Sequence, residues 1–126
     1  MKLSVVIPVY NEENTILELV ELVQTALKEL PSEITETELV IVEDGSSDNT
    51  KKIIEENLSS IKDITIFCQP FNQGKGAAIT KGFSLTTGDI VLVQDADMEY
   101  DPFEYPTLLK PLINKRADVV YGSRFK

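Results

Sequence analysis

Gly88-Asp89-Ile90-Val91-Leu92-Val93-Gln94-Asp95-Ala96-Asp97-Met98-Glu99 is the stretch that decides how this chain folds. A turn signal, Thr87-Gly88-Asp89, precedes four apolar residues, Ile90, Val91, Leu92 and Val93, which read as a short buried strand. Three carboxylates follow at alternate positions: Asp95, Asp97 and Glu99. In an extended chain, residues two apart share a face, so the three acids are expected to converge at the mouth of the strand. Two carboxylates about 7 Å apart at an effective dielectric of about 20 repel by roughly 2 kcal/mol. A divalent cation would reverse the sign of that term. Oxygen-only donors suit Mg²⁺ or Mn²⁺, ions that keep waters and share a ligand's phosphates. An Asp-x-Asp turn by itself is also what a solvated acidic loop looks like, so the neighbouring segments must separate the two readings.

Working outward, residues 3–9 form a near-continuous apolar run, as in strands covered on both faces, with Pro8 close to its end. Ile16, Val20, Val23, Leu27 and Leu30 then repeat at helical spacing, and Pro31 stops the helix. Residues 38–43 read as a second strand, followed by the turn-rich Asp44-Gly45-Ser46-Ser47-Asp48-Asn49-Thr50 and a short helix over 51–58. Residues 64–68 read as a third strand, 69–76 as a loop and 77–86 as a helix. After the opening stretch, Asp101-Pro102 suits a helix start, while Pro106 and Pro111 predict a break or kink between 102 and 115. Residues 117–121 read as a fifth strand. Strict alternation of strand and helix predicts an α/β fold: three layers, a mostly parallel sheet, and right-handed crossovers. Ligands in such sheets bind beyond the carboxyl ends of the strands, where this chain places its polar residues.

Composition narrows the class. The chain has 126 residues, read as one domain, and a formal charge of −9 from 21 acids and 12 bases. That charge argues against a nucleic-acid partner and against electrostatic docking on anionic lipid. It has no histidine, which removes imidazole acid–base and metal chemistry, and one cysteine, Cys68, which reads as a buried small hydrophobe. No signal-peptide layout and no membrane-length apolar run is visible, so the expected location is cytoplasmic.

Several α/β families are excluded by position. The first strand-to-helix turn lacks the dinucleotide-binding glycine pattern, and Gly74-Lys75-Gly76 is not closed by Gly-Lys-Ser/Thr as a P-loop would be. The Asp-x-Asp follows the fourth strand, not the first as in haloacid-dehalogenase-type phosphatases. Receiver domains cluster their acids after strands one and three. Four spaced motifs instead carry a resemblance: Val5-Val6-Ile7-Pro8-Val9-Tyr10-Asn11-Glu12-Glu13, Val42-Glu43-Asp44-Gly45-Ser46-Ser47-Asp48-Asn49-Thr50, Asn72-Gln73-Gly74-Lys75-Gly76-Ala77-Ala78 and Gln94-Asp95-Ala96-Asp97. In this order they resemble glycosyltransferase family two, of the Rossmann-like GT-A fold. Met98-Glu99-Tyr100-Asp101-Pro102 and Ala117-Asp118-Val119-Val120-Tyr121-Gly122-Ser123-Arg124-Phe125 look most like the branch of dolichyl-phosphate mannosyltransferases and polyprenyl-phosphate glycosyltransferases.

The resemblance implies an inverting transferase moving a hexose from a UDP- or GDP-linked sugar to a polyprenyl or dolichyl phosphate. Pro8, Tyr10 and Glu12 match the first-strand loop that lines the nucleotide, although Tyr10 could simply pack. Asp44 matches the acid that reads the base edge. Glu43 stands where the family often has Asp, which leaves that contact open. Lys75 matches a loop that closes on the nucleotide and could offset donor charge or be solvated. Asp97 matches the ligand of Mg²⁺ or Mn²⁺, Asp95 a contact to ribose or metal, and Glu99 a metal-side position often held by Gln. Arg124 matches an arginine at the acceptor phosphate, or is a strand-end surface charge. The resemblance identifies no general base, and a lipid-phosphate oxygen, already an anion, has little need of one.

Catalytic domains of the family are longer, so the chain reads as a truncated form, the N-terminal nucleotide-binding part, whose full-length relatives sit at the cytoplasmic face of a membrane. Self-association through a sheet flank is a further expectation. The alternatives are a catalytically incomplete nucleotide-sugar binding module, an interaction protein, or a nucleotidyltransferase. The last would need a glycine-rich first loop that is absent here.

Overall fold

A computed structural model describes residues 1–97, 101–113 and 119–121. Five strands, β1 (Lys2–Val9), β2 (Glu36–Glu43), β3 (Ile64–Cys68), β4 (Ile90–Val93) and β5 (Val119–Tyr121), form an all-parallel sheet in the order β3-β2-β1-β4-β5. Between them run α1 (Ile16–Ala26), α2 (Thr50–Leu58), α3 (Lys75–Leu85) and α4 (Tyr105–Ile113).

The central strand explains its own sequence. Residues 3–9 are all buried because both faces of β1 are covered. Leu3, Val5, Ile7 and Val9 point into a core shared with α1, α2 and α4, while Val6 points into a smaller core with Ala78 and Ile79 of α3. That is the expected three-layer α/β/α arrangement. One connection departs from the expected right-handed pattern. The chain moves one way across the sheet under α1 and α2, and returns to β4 under α3. It continues to β5 with α4 on the α1 face, so this last crossover has the opposite hand to the others. A physical anchor is visible: the Tyr105 hydroxyl donates to Oε1 of buried Gln94 at 2.7 Å, on the Leu92 side of β4.

Several element boundaries differ from the sequence reading, each for a local reason. β2 begins two residues earlier than expected, at Glu36. The first helix stops at Ala26 and tightens into a 3₁₀ turn, Leu27–Glu29, because Pro31 holds Leu30 extended (φ −92°, ψ 160°). α3 starts at Lys75, not at 77, because Gly74 takes φ +98° as its N-cap and Gly76 costs little in a first turn. The expected break near the late prolines is the junction of a 3₁₀ turn, Pro102–Glu104, with α4; Asp101 caps the turn by accepting from the Phe103 N–H at 2.9 Å. Pro111 lies inside α4, where the helix ends two residues later and loses a single backbone bond. Cys68 is partly, not fully, buried. Burial and the charges of Glu55 and Glu43 push its thiol up against the opposing Lys51, which disfavours a thiolate.

Candidate active site

Sheet order creates a crevice. Successive strands move away from β1 on one side and resume on the other, so the ends of β1 and β4 flank a topological switch point. β4 pairs with β1 only as far as Val6, and the last ladder bond runs from the Gln94 N–H to the Val6 carbonyl at 2.9 Å. Val9 bonds the opposite neighbour, accepting from the Asp44 N–H at 2.8 Å. Pro8, in phase with Val6, therefore faces the side that β4 has already left. A residue with no N–H is tolerated there without losing a ladder bond.

A cavity of about 310 Å³ opens at this point, within the usual range for small-ligand sites. Of the residues singled out from sequence, Pro8, Tyr10, Glu12, Asp44, Lys75, Asp95 and Asp97 all line it. Glu99 and Arg124 lie outside the described residues. Asn72, Gly74, Ala78 and Ala96 also line the cavity and were not assigned roles. Asn72, Gly74 and Ala78 lie within the third motif and Ala96 within the fourth, so their positions were visible in the sequence although their place at the cavity was not.

The loops are fastened to one another through carboxylates and Asn11. Buried Glu43 folds back on its own turn, accepting from the Gly45 N–H at 3.2 Å and the Ser46 N–H at 2.6 Å. Asn11, at φ +52°, ties the β1 loop to the β2 loop by accepting from the Ser47 N–H at 2.8 Å. Glu12 accepts from the Thr15 hydroxyl at 2.9 Å, and its N–H donates to the Thr50 hydroxyl at 2.9 Å.

Asp44 is the most heavily engaged group. Oδ1 accepts from Gln69 Nε2 and the Gln73 N–H, both at 2.9 Å. Oδ2 accepts from Asn72 Nδ2 at 2.9 Å and the Gly74 N–H at 3.0 Å. Four donors occupy about all the lone-pair sites a carboxylate has. In this structure Asp44 fastens the 69–74 loop to the end of β2. The loop comes so close that a Cβ on Gly45, already at φ +66°, would collide with the backbone of Phe71 and Asn72.

The acids after β4 meet the cavity by a different geometry from the expected one. The strand ends at Val93 and the chain turns at Ala96-Asp97, so strand alternation does not carry through from Asp95 to Asp97. They reach the same cavity through the turn. Asp95 is buried and ion-paired with the half-exposed Lys75, and Asp97 is exposed. Among the described residues no three acid, His or Cys side chains are grouped closely enough to hold a metal. Two carboxylates at a cavity without imidazole or thiolate still fit a hard cation that completes its shell with water and a ligand's phosphates.

A parallel α/β sheet with a carboxylate-lined cavity at its switch point places the candidate site where open α/β sheets bind their ligands. The chain belongs to glycosyl transferase family 2, whose family model matches residues 4–126. It is 42% identical over 110 residues to undecaprenyl-phosphate 4-deoxy-4-formamido-L-arabinose transferase of Proteus mirabilis, covering 86% of this chain and 32% of that protein. The fold is of the GT-A type. Residues 1–349 of S. aureus TarS, in complex with UDP-GlcNAc, match with a TM-score of 0.68 and 28% identity over 91% of this chain and 32% of that one. Glucosyl-3-phosphoglycerate synthase from Mycobacterium tuberculosis, in complex with Mn²⁺, UDP-glucose and phosphoglyceric acid, matches with a TM-score of 0.61 and 26% identity, over 88% of this chain and 39% of that one. The chain thus spans about a third of the length of these relatives. Among the described residues no helix is long and apolar enough to cross a membrane.

Proposed function

We propose that residues 1–126 are the nucleotide-binding part of an inverting glycosyltransferase that moves a hexose from a UDP- or GDP-linked sugar to a polyprenyl-phosphate acceptor. The observation that carries this reading is the meeting of Asp95 and Asp97 with Pro8, Tyr10, Glu12 and Lys75 around one cavity at the switch point. The curated relative named for an undecaprenyl-phosphate transferase supports the acceptor class, and the UDP-sugar complexes of the solved relatives support the donor class.

In this reading Pro8 and Tyr10 form one wall for the nucleoside, and Asp44 holds the opposite loop in place. Lys75 offers a point positive charge to the diphosphate. Asp95 and Asp97 would hold Mg²⁺ or Mn²⁺, whose chemistry is to neutralise the departing nucleoside diphosphate. Glu99 would extend that set, and Arg124 would meet the acceptor phosphate. The acceptor oxygen is already anionic, so the chain has no need of a histidine base.

The test is isothermal titration of UDP, GDP and their sugar conjugates, with and without Mn²⁺, into the wild type and Asp97→Ala. The expected result is metal-dependent binding of one base, weakened at least about a hundredfold in the variant. A folded wild-type chain that binds none of these ligands would overturn the reading in favour of an interaction protein. Binding without transfer would identify a nucleotide-sugar binding module.

A further inference from the structure

We infer that Lys75 sets the order in which this site fills: it holds Asp95 until a diphosphate arrives, so the divalent cation enters with the nucleotide and not ahead of it. The inference rests on the donor-site reading above and goes beyond it.

Three observations carry it. Lys75 Nζ is ion-paired with Asp95, one of the two cavity carboxylates that follow β4. The two partners differ in freedom, since the Asp95 side chain is 9% exposed and the Lys75 side chain 47% exposed. The carboxylate is held in place while the ammonium end, on a flexible four-carbon stem, has solvent to move into. Finally, the Lys75 backbone is fixed. It is the first residue of α3, directly after Gly74, whose N–H is gripped by Asp44 together with that of Gln73. Any exchange of partners is therefore a side-chain movement that needs no change in the loop.

Charge then dictates the order. A dication on Asp95 would sit beside the ammonium and be repelled by it, so without a nucleotide the lysine and the cation compete for one carboxylate. A diphosphate in the same cavity gives the ammonium a second anionic partner. The lysine transfers to phosphate oxygens and no longer competes for Asp95, and Asp95 and Asp97 would then hold the cation beside the diphosphate. Metal and nucleotide should bind with positive coupling, and by linkage each raises the affinity of the other equally.

The experiment measures free Mn²⁺ by electron paramagnetic resonance as the ion is titrated into the wild type, Lys75→Met and Lys75→Gln. Each titration is run without nucleotide and with whichever of UDP or GDP the wild type binds. Thermal melts confirm folding, and the Gln variant carries the comparison should the Met variant unfold. Neutralising the lysine is expected to raise nucleotide-free Mn²⁺ affinity roughly fivefold, the scale of a partly exposed ion pair, and to shrink the coupling between metal and nucleotide. Nucleotide-free Mn²⁺ affinity that is unchanged or weaker in both variants, in a protein whose wild type still binds nucleotide with Mn²⁺, would overturn the ordering and leave the donor site standing. A wild type that shows no Mn²⁺-dependent nucleotide binding would overturn both.

Discussion

The two ends of the sheet both hold carboxylates beside a lysine, and they close them differently. At the amino-terminal end, Glu38 accepts from the Ser4 hydroxyl at 2.6 Å, the Thr87 N–H at 2.7 Å and the Thr87 hydroxyl at 3.1 Å. Lys2 adds an ion pair at 3.6 Å. Ser4 in turn accepts from the Gly88 N–H at 2.9 Å, and Asp89 accepts from the Lys2 N–H at 2.8 Å. Here neutral donors from fixed backbone and short side chains do the closing, and the lysine is an addition. At the carboxyl-terminal end, Asp44 is closed in the same permanent way, but Asp95 is met by a long, half-exposed lysine at a cavity it shares with Asp97. Closure by fixed donors makes a fastener. Closure by a flexible charge makes a partner that can be exchanged, and that difference separates the fastened end of this sheet from the end that carries the candidate site.

The largest test of the contrast is Gly45→Ala. A methyl group there meets backbone, not a flexible side chain, at a positive φ. The expected loss is about 3 kcal/mol in urea unfolding, together with weakened nucleotide binding. A variant as stable as wild type would mean that the 69–74 loop is not pinned against the end of β2.

Next comes Asp44→Asn, which turns one acceptor into a donor facing N–H groups. A cost of about 2 kcal/mol is expected. Amide exchange at Gln73 and Gly74 should accelerate, because those two N–H groups lose their acceptor. Unchanged protection at both amides would remove Asp44 from its fastening role.

The smallest effect is expected from Glu38→Gln, at about 1 kcal/mol near neutral pH, with nucleotide affinity untouched. Its pH dependence has a definite sign. Burial pushes the Glu38 carboxyl up, but hydrogen bonds from Ser4 and Thr87 and the Lys2 charge outweigh it and hold the group below its ordinary value. A depressed carboxyl contributes fully above the unfolded value, about 4.3, and loses that contribution as pH falls through the lower folded value. The gap between wild type and variant should therefore narrow in acid, measured as urea midpoints from pH 7 downward. A gap that widens in acid would contradict the assignment.

The strand cores were legible because burial on both faces leaves a local mark. Leu39-Val40-Ile41-Val42 and the run from residue 3 need no partner to be recognised as covered. The candidate site was legible as an address, since the motifs fall at the carboxyl ends of strands. Its wiring was not. Alternate spacing placed Asp95 and Asp97 together for the wrong reason, because the chain turns at Ala96-Asp97 where an extended run was expected. Nothing in Asp44-Gly45 announces that its carboxylate meets donors 25 to 30 residues further on.

The sequence by itself therefore determined the alternation of strands and helices, the parallel sheet, the edge at which the polar motifs collect, and the family. These follow from periodicity and from short motifs, which are properties of neighbouring residues. Only the tertiary structure decided that Asp44 is a fastener as it stands, that α4 joins the α1 face, and that Lys75 holds Asp95. Each depends on how closely two segments distant in the chain approach. Hydrogen bonds and ion pairs are short-ranged, so an ångström of approach, which no spacing encodes, decides which donor a carboxylate receives.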